Sequence, residues 1–152
     1  MEAWLLTWNP KYYDWEDPED EGESISLLQK KLSANDVASM TWSCGSSKRI
    51  KSGDRVFIMR LGIEPKGIVA SGYACSEVYE LPHWDPIKAA AGEWKRYIDI
   101  RFDKIRNPET EEILPLQLLR MISPVTHWTP ISSGMHLQEE IVKAVDGVWM
   151  SL

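Results

Sequence analysis

The chain has 152 residues, of which 43% are apolar and 26% are charged, and these values favour a single globular domain with a continuous core. No apolar run approaches the length of a membrane helix, and residues 1–20 lack the basic and apolar regions of a signal peptide. The net charge of −6 argues against a broadly basic nucleic-acid binder, and two cysteines exclude a disulfide framework. We therefore expect a reduced, cytoplasmic protein without a membrane partner, a metal or a cofactor.

The charge is unevenly distributed along the chain. Residues 1–24 contain eight acidic side chains and a single basic one, Lys11, whereas the segment from Lys48 to Arg106 has a net charge of +4. The acidity therefore belongs mostly to one N-terminal segment. The middle of the chain is able to face phosphates, with a modest electrostatic attraction.

The first sixty residues predict two strands and one helix. Residues 3–8 form a buried strand that stops before Pro10, because proline cannot donate to a ladder. The acidic segment 16–23 is predicted to be a solvated loop, and Ser24 caps a helix that runs through about residue 32. A loop rich in small residues follows over residues 42–51, and residues 55–60 form a mostly buried strand.

The next segment predicts a β-hairpin. Residues 64–67, Glu-Pro-Lys-Gly, have the composition of a turn, and residues 67–74 form the return strand. Gly72 lies inside that strand, which predicts a bulge or the close approach of another backbone.

The second half of the chain adds one clear strand and three helices. Asp85 and Pro86 begin a short helix, residues 96–103 alternate as a strand with one solvated face, and Pro115 opens a helix through about residue 122. The closing helix is amphipathic, with one apolar stripe formed by Leu137, Ile141, Val145 and Val148. With a short extended piece at Ile113-Leu114, the chain has five strand-like segments broken by short helices, which predict an α+β domain built on a strongly bent sheet or a small β-barrel.

Aromatic residues carry the strongest functional signal. Of the eight tryptophans, four stand at strand ends or in loops, where binding groups usually lie: Trp8, Trp15, Trp42 and Trp128. A planar base that stacks on such side chains gains on the order of 1–3 kcal/mol per contact. Trp4, Trp94 and Trp149 fall within strand or helix patterns and are assigned to the core.

Polar and basic residues near these tryptophans complete the predicted site. Asn9 and Ser43 are of the right type to hydrogen-bond a base edge, and Cys44 is interpreted as a small pocket-lining residue. Flanking phosphates are expected to contact Lys48, Arg49, Lys51 and Arg55. The segment from Met40 to Gly62 is thus predicted to form one wall and the rim of a base-sized pocket.

Catalytic and metal-binding patterns are absent from the sequence. It contains no glycine-rich phosphate loop, no HExxH and no GxSxG, and its three histidines, His83, His127 and His136, are dispersed. No spacing pairs two carboxylates or a nucleophile with a base. We therefore expect a protein that is not an enzyme.

Several segments resemble the EVE domain, a member of the PUA superfamily together with the ASCH and YTH domains. The resemblance rests on residues 4–10 (WLLTWNP), on residues 42–45 (WSCG) and on the basic cluster and SGDRV strand that follow. Residues 128–134 (WTPISSG) and the closing helix resemble EVE-type modules found at the N-termini of HNH endonucleases. The resemblance covers essentially the whole chain, as a single domain over residues 1–152.

The resemblance implies a PUA-like β-barrel with flanking helices that reads a modified nucleobase. YTH relatives hold a methylated adenine in an aromatic cage, and EVE relatives are implicated in sensing modified cytosine in DNA. In such proteins the pocket lies near the end of the first strand and the tryptophan loop before the second. Carried over to this chain, that site comprises Trp8, Asn9, Trp15, Trp42, Ser43 and Cys44.

Three functions are compatible with these residues. The favoured one is a non-enzymatic module that captures a flipped, modified base, cytosine-derived and in DNA, as the sensor of a modification-dependent restriction or defence system. A nuclease domain would then act with it, in cis or in trans. The second is an RNA-binding PUA-like module without modification selectivity. The third is a hydrolase of modified nucleosides, as some ASCH relatives are thought to be, and it is disfavoured because no nucleophile with a carboxylate partner is apparent.

Overall fold

The computed structural model describes residues 1–18 and 23–152. The middle of the predicted acidic loop, residues 19–22, lies outside the described residues. The strands are β1 (Ala3–Trp8), β2 (Ser39–Gly45), β3 (Arg55–Arg60), β4 (Gly67–Ala74), β5 (Tyr79–Pro82), β6 (Trp94–Ile105), β7 (Leu114–Pro115) and β8 (Met135–Leu137). The helices are α1 (Ile25–Ser33), α2 (Pro86–Ala90), α3 (Leu116–Ile122) and α4 (Glu139–Trp149).

All eight strands belong to one mixed sheet, with the order β2-β6-β4-β3-β1-β8. β5 adds to β6 and β7 adds to β4 beyond this path. β1 runs parallel to β3, with Ala3 opposite Arg55 and Trp8 opposite Arg60, and the other pairings are antiparallel. The sheet curls into a half-barrel, so that β2 at one edge approaches β1 near the other.

The two faces of the sheet are covered by separate apolar clusters. Side chains alternate along a strand, so Val56 and Ile58 enter the cluster inside the half-barrel while Phe57 and Met59 enter the cluster under α3 and α4. Every residue of β3 is buried for this reason. The prediction of a strand at 55–60 that is buried on both faces is confirmed.

Several local predictions are also confirmed. The hydroxyl of Ser24 accepts the amide N–H of Leu27 at 3.1 Å and caps α1, and the carboxylate of Asp85 caps α2 in the same way. Gly72 lies at a register shift between β4 and β6, where an added Cβ would be 2.3 Å from the carbonyl oxygen of Arg101. Both the bulge and the close backbone approach are therefore present.

Other predictions are wrong, and long-range pairing explains most of them. The supposed loop at 42–45 is part of β2, because Ser39–Gly45 pairs with residues 96–101 of β6, and this pairing overrides a composition rich in small residues. β5 and β8 were not predicted, and Leu137, expected on the closing helix, lies in β8. Trp94, assigned to the core, is 62% exposed.

No helix in residues 1–18 and 23–152 is long and apolar enough to cross a membrane.

Candidate nucleic-acid interface

A cavity of about 1010 Å³ opens where the two ends of the half-barrel meet. Its volume is at the upper end of the range for small-molecule sites, roughly 300–1,000 Å³. Its walls come from the end of β1 and the turn after it, from β2, from the start of β6, and from the loop before β8. The principal lining residues are Thr7, Trp8, Asn9, Tyr13, Thr41, Trp42, Ser43, Trp84, Lys95, Tyr97, Ile131 and Ser133.

The back of the cavity is a seam between β1 and β2, whose backbones do not pair with each other in the sheet. The indole N–H of Trp42 donates to the carbonyl oxygen of Thr7 at 3.1 Å. The hydroxyl of Ser133 accepts the amide N–H of Thr7 at 3.0 Å and donates to the carbonyl oxygen of Ser43 at 3.0 Å. Side chains thus satisfy backbone groups that a closed barrel would pair through a ladder.

Aromatic rings form one wall of the cavity. Tyr13 meets Trp42 edge to face, with ring centroids 5.9 Å apart and planes at 89°. Trp15 packs behind them, 4.7 Å from Trp42 and 5.4 Å from Trp8 between ring centroids. The indole N–H of Trp8 donates to the carbonyl oxygen of Tyr13 at 2.8 Å, which fixes the turn that carries the tyrosine. The wall is therefore built before any ligand arrives.

Hydroxyl groups line the wall formed by β2 and β6. Thr41 Oγ1 donates to the carboxylate of Asp99 at 3.0 Å and lies 3.2 Å from the hydroxyl of Tyr79. Burial raises the pKa of Tyr79, and the adjacent Asp99 carboxylate, which accepts its hydrogen bond, raises it further. Burial also raises the pKa of Tyr97, so this hydroxyl stays protonated at neutral pH and is able to donate to a ligand.

The opposite side of the mouth combines a tryptophan with a lysine. Trp84 is 50% exposed, and the ammonium nitrogen of Lys95 lies 5.9 Å from the centroid of its ring. Burial, together with the nearby Lys88, lowers the pKa of Lys95. Sequence reasoning missed both residues, although a tryptophan between Pro82 and Pro86 in a polar connection was a signal that could have found Trp84.

The structure brings four of the seven predicted pocket residues together on the cavity: Trp8, Asn9, Trp42 and Ser43. The side-chain oxygen of Asn9 accepts the amide N–H of Lys11 at 3.0 Å, which orients it at the turn after β1. Trp42 and Ser43 are neighbours on β2, and Trp42 reaches across the seam while Ser43 holds Ser133.

Three predicted pocket residues do not line the cavity. Trp15 and Cys44 are fully buried in the core inside the half-barrel, with Trp15 behind the aromatic wall. Burial raises the pKa of Cys44 to about 11, so its thiol is not ionised at neutral pH. Trp128 packs in the other core, and its indole N–H donates to the carbonyl oxygen of Ser123 at 3.0 Å. Only the later part of its loop reaches the cavity.

Arg55 is unsuited to the phosphate-binding role predicted for it. Its side chain is 4% exposed, and its guanidinium lies 2.8 Å from both Asp103 and Asp146. A third hydrogen bond goes to the carbonyl oxygen of Gly72 at 3.2 Å. The group is fully used in holding β3, β4, β6 and α4 together, so this prediction is wrong.

The other three predicted phosphate ligands, Lys48, Arg49 and Lys51, are exposed. The guanidinium of Arg49 lies 5.4 Å from the centroid of the Trp4 ring, at the start of β1. Trp4 is three residues from Thr7, which corresponds to about 10 Å along a strand. Arg49 therefore lies away from the cavity lining, and the phosphate-binding role of these three residues stays a prediction.

Among residues 1–18 and 23–152, no three His, Cys, Asp or Glu side chains are grouped in a way that would hold a metal ion.

No protein-family model matches the chain, and no curated protein sequence matches it. Solved structures do. The fold is similar to that of a Pseudomonas syringae protein, with 19% identity, a TM-score of 0.64, and coverage of 96% of this chain and 98% of the other. Human THYN1 in complex with DNA that contains 5-methylcytosine is 17% identical, with a TM-score of 0.63 and 97% of each chain covered. ASCH from Zymomonas mobilis is 10% identical, with a TM-score of 0.51 and 97% and 95% covered.

These likenesses establish the fold of the protein. The curled mixed sheet with four flanking helices is the PUA-like α+β fold, and the fold class predicted from the sequence is confirmed. At 10–19% identity the likeness extends to the fold alone.

Proposed function

We propose that this protein is a non-catalytic reader that captures a flipped, modified base, cytosine-derived and in DNA, in the cavity at the seam. The observation that carries the proposal is the preformed aromatic wall of Trp42, Tyr13 and Trp8 beside hydroxyl and amide groups. The fold adds support, because human THYN1 was solved with 5-methylcytosine-containing DNA.

Stacking on this wall is able to offset the free energy needed to flip a base. Flipping a base out of a duplex costs a few kcal/mol, and each aromatic stacking contact returns about 1–3 kcal/mol. Hydrogen bonds to the base edge from Asn9, Ser43 or Tyr97 supply the remaining binding free energy and the selectivity for the base. A methyl group on the base would add apolar contact with the rings, at about 0.8 kcal/mol for a buried carbon.

Electrostatics make a smaller contribution. The net charge of −6 weakens general attraction to phosphate, so affinity depends on the captured base. Lys95 at the mouth is the residue best placed to contact the phosphate of the captured nucleotide, while Lys48, Arg49 and Lys51 would contact phosphates farther along the strand. The proposal includes an effector, a nuclease in the same polypeptide or in a separate one, because a reader without catalysis needs one to act.

The test is a titration of matched oligonucleotides that differ by one 5-methyl group on cytosine. We expect wild-type protein to prefer the methylated oligonucleotide and Trp42→Ala to lose that preference. Trp94→Ala is the matched control, since Trp94 is exposed and does not line the cavity. Thermal unfolding of each variant reports whether it folds, and Tyr13→Ala provides a second change in the wall.

An RNA oligonucleotide of the same sequence belongs in the same experiment. Equal binding of methylated and unmethylated DNA by wild-type protein would refute the proposal. Preference for RNA without any effect of methylation would support an RNA-binding module in its place.

A further inference from the structure

We infer that Ile131 is a wedge that enters the space left in a DNA duplex when the captured base flips into the cavity. The inference rests on the proposed function and extends it, because it specifies duplex DNA, and not a single strand, as the ligand.

The exposure of Ile131 is the first observation. Its relative exposure is 103%, the highest of the large apolar side chains in the part of the chain that the structure describes. It also lines the mouth of the cavity, together with its neighbours Pro130 and Ser132. Single exposed aliphatic side chains are common on protein surfaces, so the position of Ile131 at the mouth of an aromatic cavity, and not its exposure alone, carries the inference.

The loop that carries Ile131 is anchored on both sides. Three residues before it, Trp128 is buried in the core and hydrogen-bonded to Ser123. Two residues after it, Ser133 makes the two hydrogen bonds of the seam. The loop also packs against β2, since an added Cβ on Gly45 would lie 2.3 Å from the carbonyl oxygen of Ser133. The side chain therefore projects from a rigid base, and little ordering is needed when it binds.

The chemistry of base flipping supplies a place for such a side chain. Removing one base leaves an apolar gap between its stacked neighbours, and proteins that deform duplexes insert Phe, Leu, Ile, Met or Pro between base steps. Because Ile131 stands at the mouth of the cavity that receives the base, it is directed at the same DNA from which the base departs. A flexible single strand presents no such gap, so the wedge matters only for a duplex.

The experiment compares Ile131→Ser, Ile131→Leu and Val125→Ser on a methylated duplex and on the methylated single strand alone. Val125 is the matched control, because it is 93% exposed on a different loop and does not line the cavity. We expect Ile131→Ser to weaken duplex binding by roughly tenfold to a hundredfold, as for a large aliphatic side chain returned to water. Ile131→Leu and Val125→Ser should stay within about threefold of wild type on the duplex, as expected for a conservative swap and a remote surface change.

Binding to the methylated single strand distinguishes the contribution of Ile131 from that of the cavity. Ile131→Ser should bind it within about twofold of wild type, since no stack has to be opened there. A duplex with 2-aminopurine next to the methylated cytosine adds an optical signal, because its fluorescence rises when it loses a stacking neighbour. We expect Ile131→Ser to change that fluorescence at saturation, and Val125→Ser to leave it at the wild-type value.

If Ile131→Ser lost affinity equally for the duplex and the single strand, or lost none for either, the role of Ile131 as a wedge would be refuted. So would a wild-type protein that binds the single strand more tightly than the duplex. None of these outcomes affects the proposed function, which is judged by the methylation preference of wild type and Trp42→Ala on the single strand. Absence of any methylation preference in wild-type protein would refute the proposed function, whereas a persisting preference without a duplex-specific effect of Ile131→Ser would refute the wedge alone.

Discussion

Trp42 and Thr7 are joined by a hydrogen bond of 3.1 Å from indole nitrogen to carbonyl oxygen, although their strands are not neighbours in the sheet. The same indole ring forms the aromatic wall of the cavity with Tyr13. One side chain therefore joins the two ends of the half-barrel and lines the cavity, where the proposed function assigns it a stacking role, so the two roles have to be separated by choice of substitution.

Trp42→Phe should separate them. The variant keeps an aromatic face but loses the hydrogen bond and part of the ring, so we expect stability to fall by about 1–2 kcal/mol. Preference for the methylated base should persist, because stacking is retained. Urea unfolding and oligonucleotide titration measure the two quantities, and a loss of preference at unchanged stability would contradict this division.

Lys95→Gln should weaken DNA binding only through the loss of a phosphate contact. Removal of one phosphate contact reduces the slope of log affinity against log salt by about 0.7–0.9 and leaves the methylation preference intact. Titrations at several salt concentrations measure the slope. Lys143→Gln is the control, since Lys143 is an exposed residue of α4 that pairs with Glu139; an equal change in both variants would argue against a contact at Lys95.

Arg55→Met should destabilise the protein strongly, because it leaves Asp103 and Asp146 without their shared partner at partly buried positions. We expect a loss of about 2–4 kcal/mol by chemical denaturation. Lys143→Met breaks an exposed pair with Glu139 and should cost no more than about 0.5 kcal/mol. Similar small losses in both variants would show that the Arg55 cluster contributes little.

Asp54 should make stability depend on acidic pH. Burial alone would raise its pKa, but hydrogen bonds donated by the amide of Lys51, the indole of Trp4 and the amide of Glu2 lower it below the ordinary value. Because the folded-state pKa is the lower one, this contribution is present above the unfolded-state pKa of about 4 and disappears as the pH falls through the folded value.

Asp54→Asn should therefore lower stability at pH 7 and flatten its dependence on pH below about 5. Thermal unfolding across that range provides the measurement. Asp36→Asn, at an exposed position, controls for the loss of one negative charge. An unchanged profile in Asp54→Asn would assign the acid sensitivity to other groups.

Alanine substitution at two glycines should change the stability of the protein in opposite directions. Gly72→Ala places a Cβ 2.3 Å from the carbonyl oxygen of Arg101 and should destabilise by about 1–3 kcal/mol. Gly147 lies in α4 with nothing within 4 Å of an added Cβ, so Gly147→Ala should stabilise by about 0.5–1 kcal/mol. Urea unfolding of the pair checks both signs, and a stable Gly72→Ala would mean that β4 and β6 can separate locally.

Local patterns predicted those parts of the fold that local forces determine. The cap at Ser24 is such a case. The doubly buried strand at 55–60 and the close approach of Gly72 to β6 are long-range contacts, and they were predictable because an apolar run and a glycine inside a strand indicate them directly. β2 was missed because its strand character comes from pairing with β6, more than fifty residues later.

The sequence indicated an aromatic pocket but identified only some of the residues that line the cavity. Trp15 and Trp42 were both predicted to lie in loops near the pocket, and only the packing of the half-barrel decides which ring faces the cavity. In the sequence Arg55 belongs to a basic cluster, but in the folded protein α4 places Asp146, 91 residues away, against its guanidinium. Trp84 and Lys95 reach the mouth through the pairing of β5 with β6, which composition did not indicate.

The seam between β1 and β2 has a consequence for how a ligand enters. A ladder between two strands opens cooperatively, whereas three separate hydrogen bonds, through Trp42 and Ser133, open one at a time at about 0.5–1.5 kcal/mol each. We therefore expect any widening of the mouth for a bulky ligand to occur at the single bond of Trp42, while Ser133 and the paired strands keep their positions. Entry of a ligand would then depend on the side chain that also joins the two ends of the half-barrel.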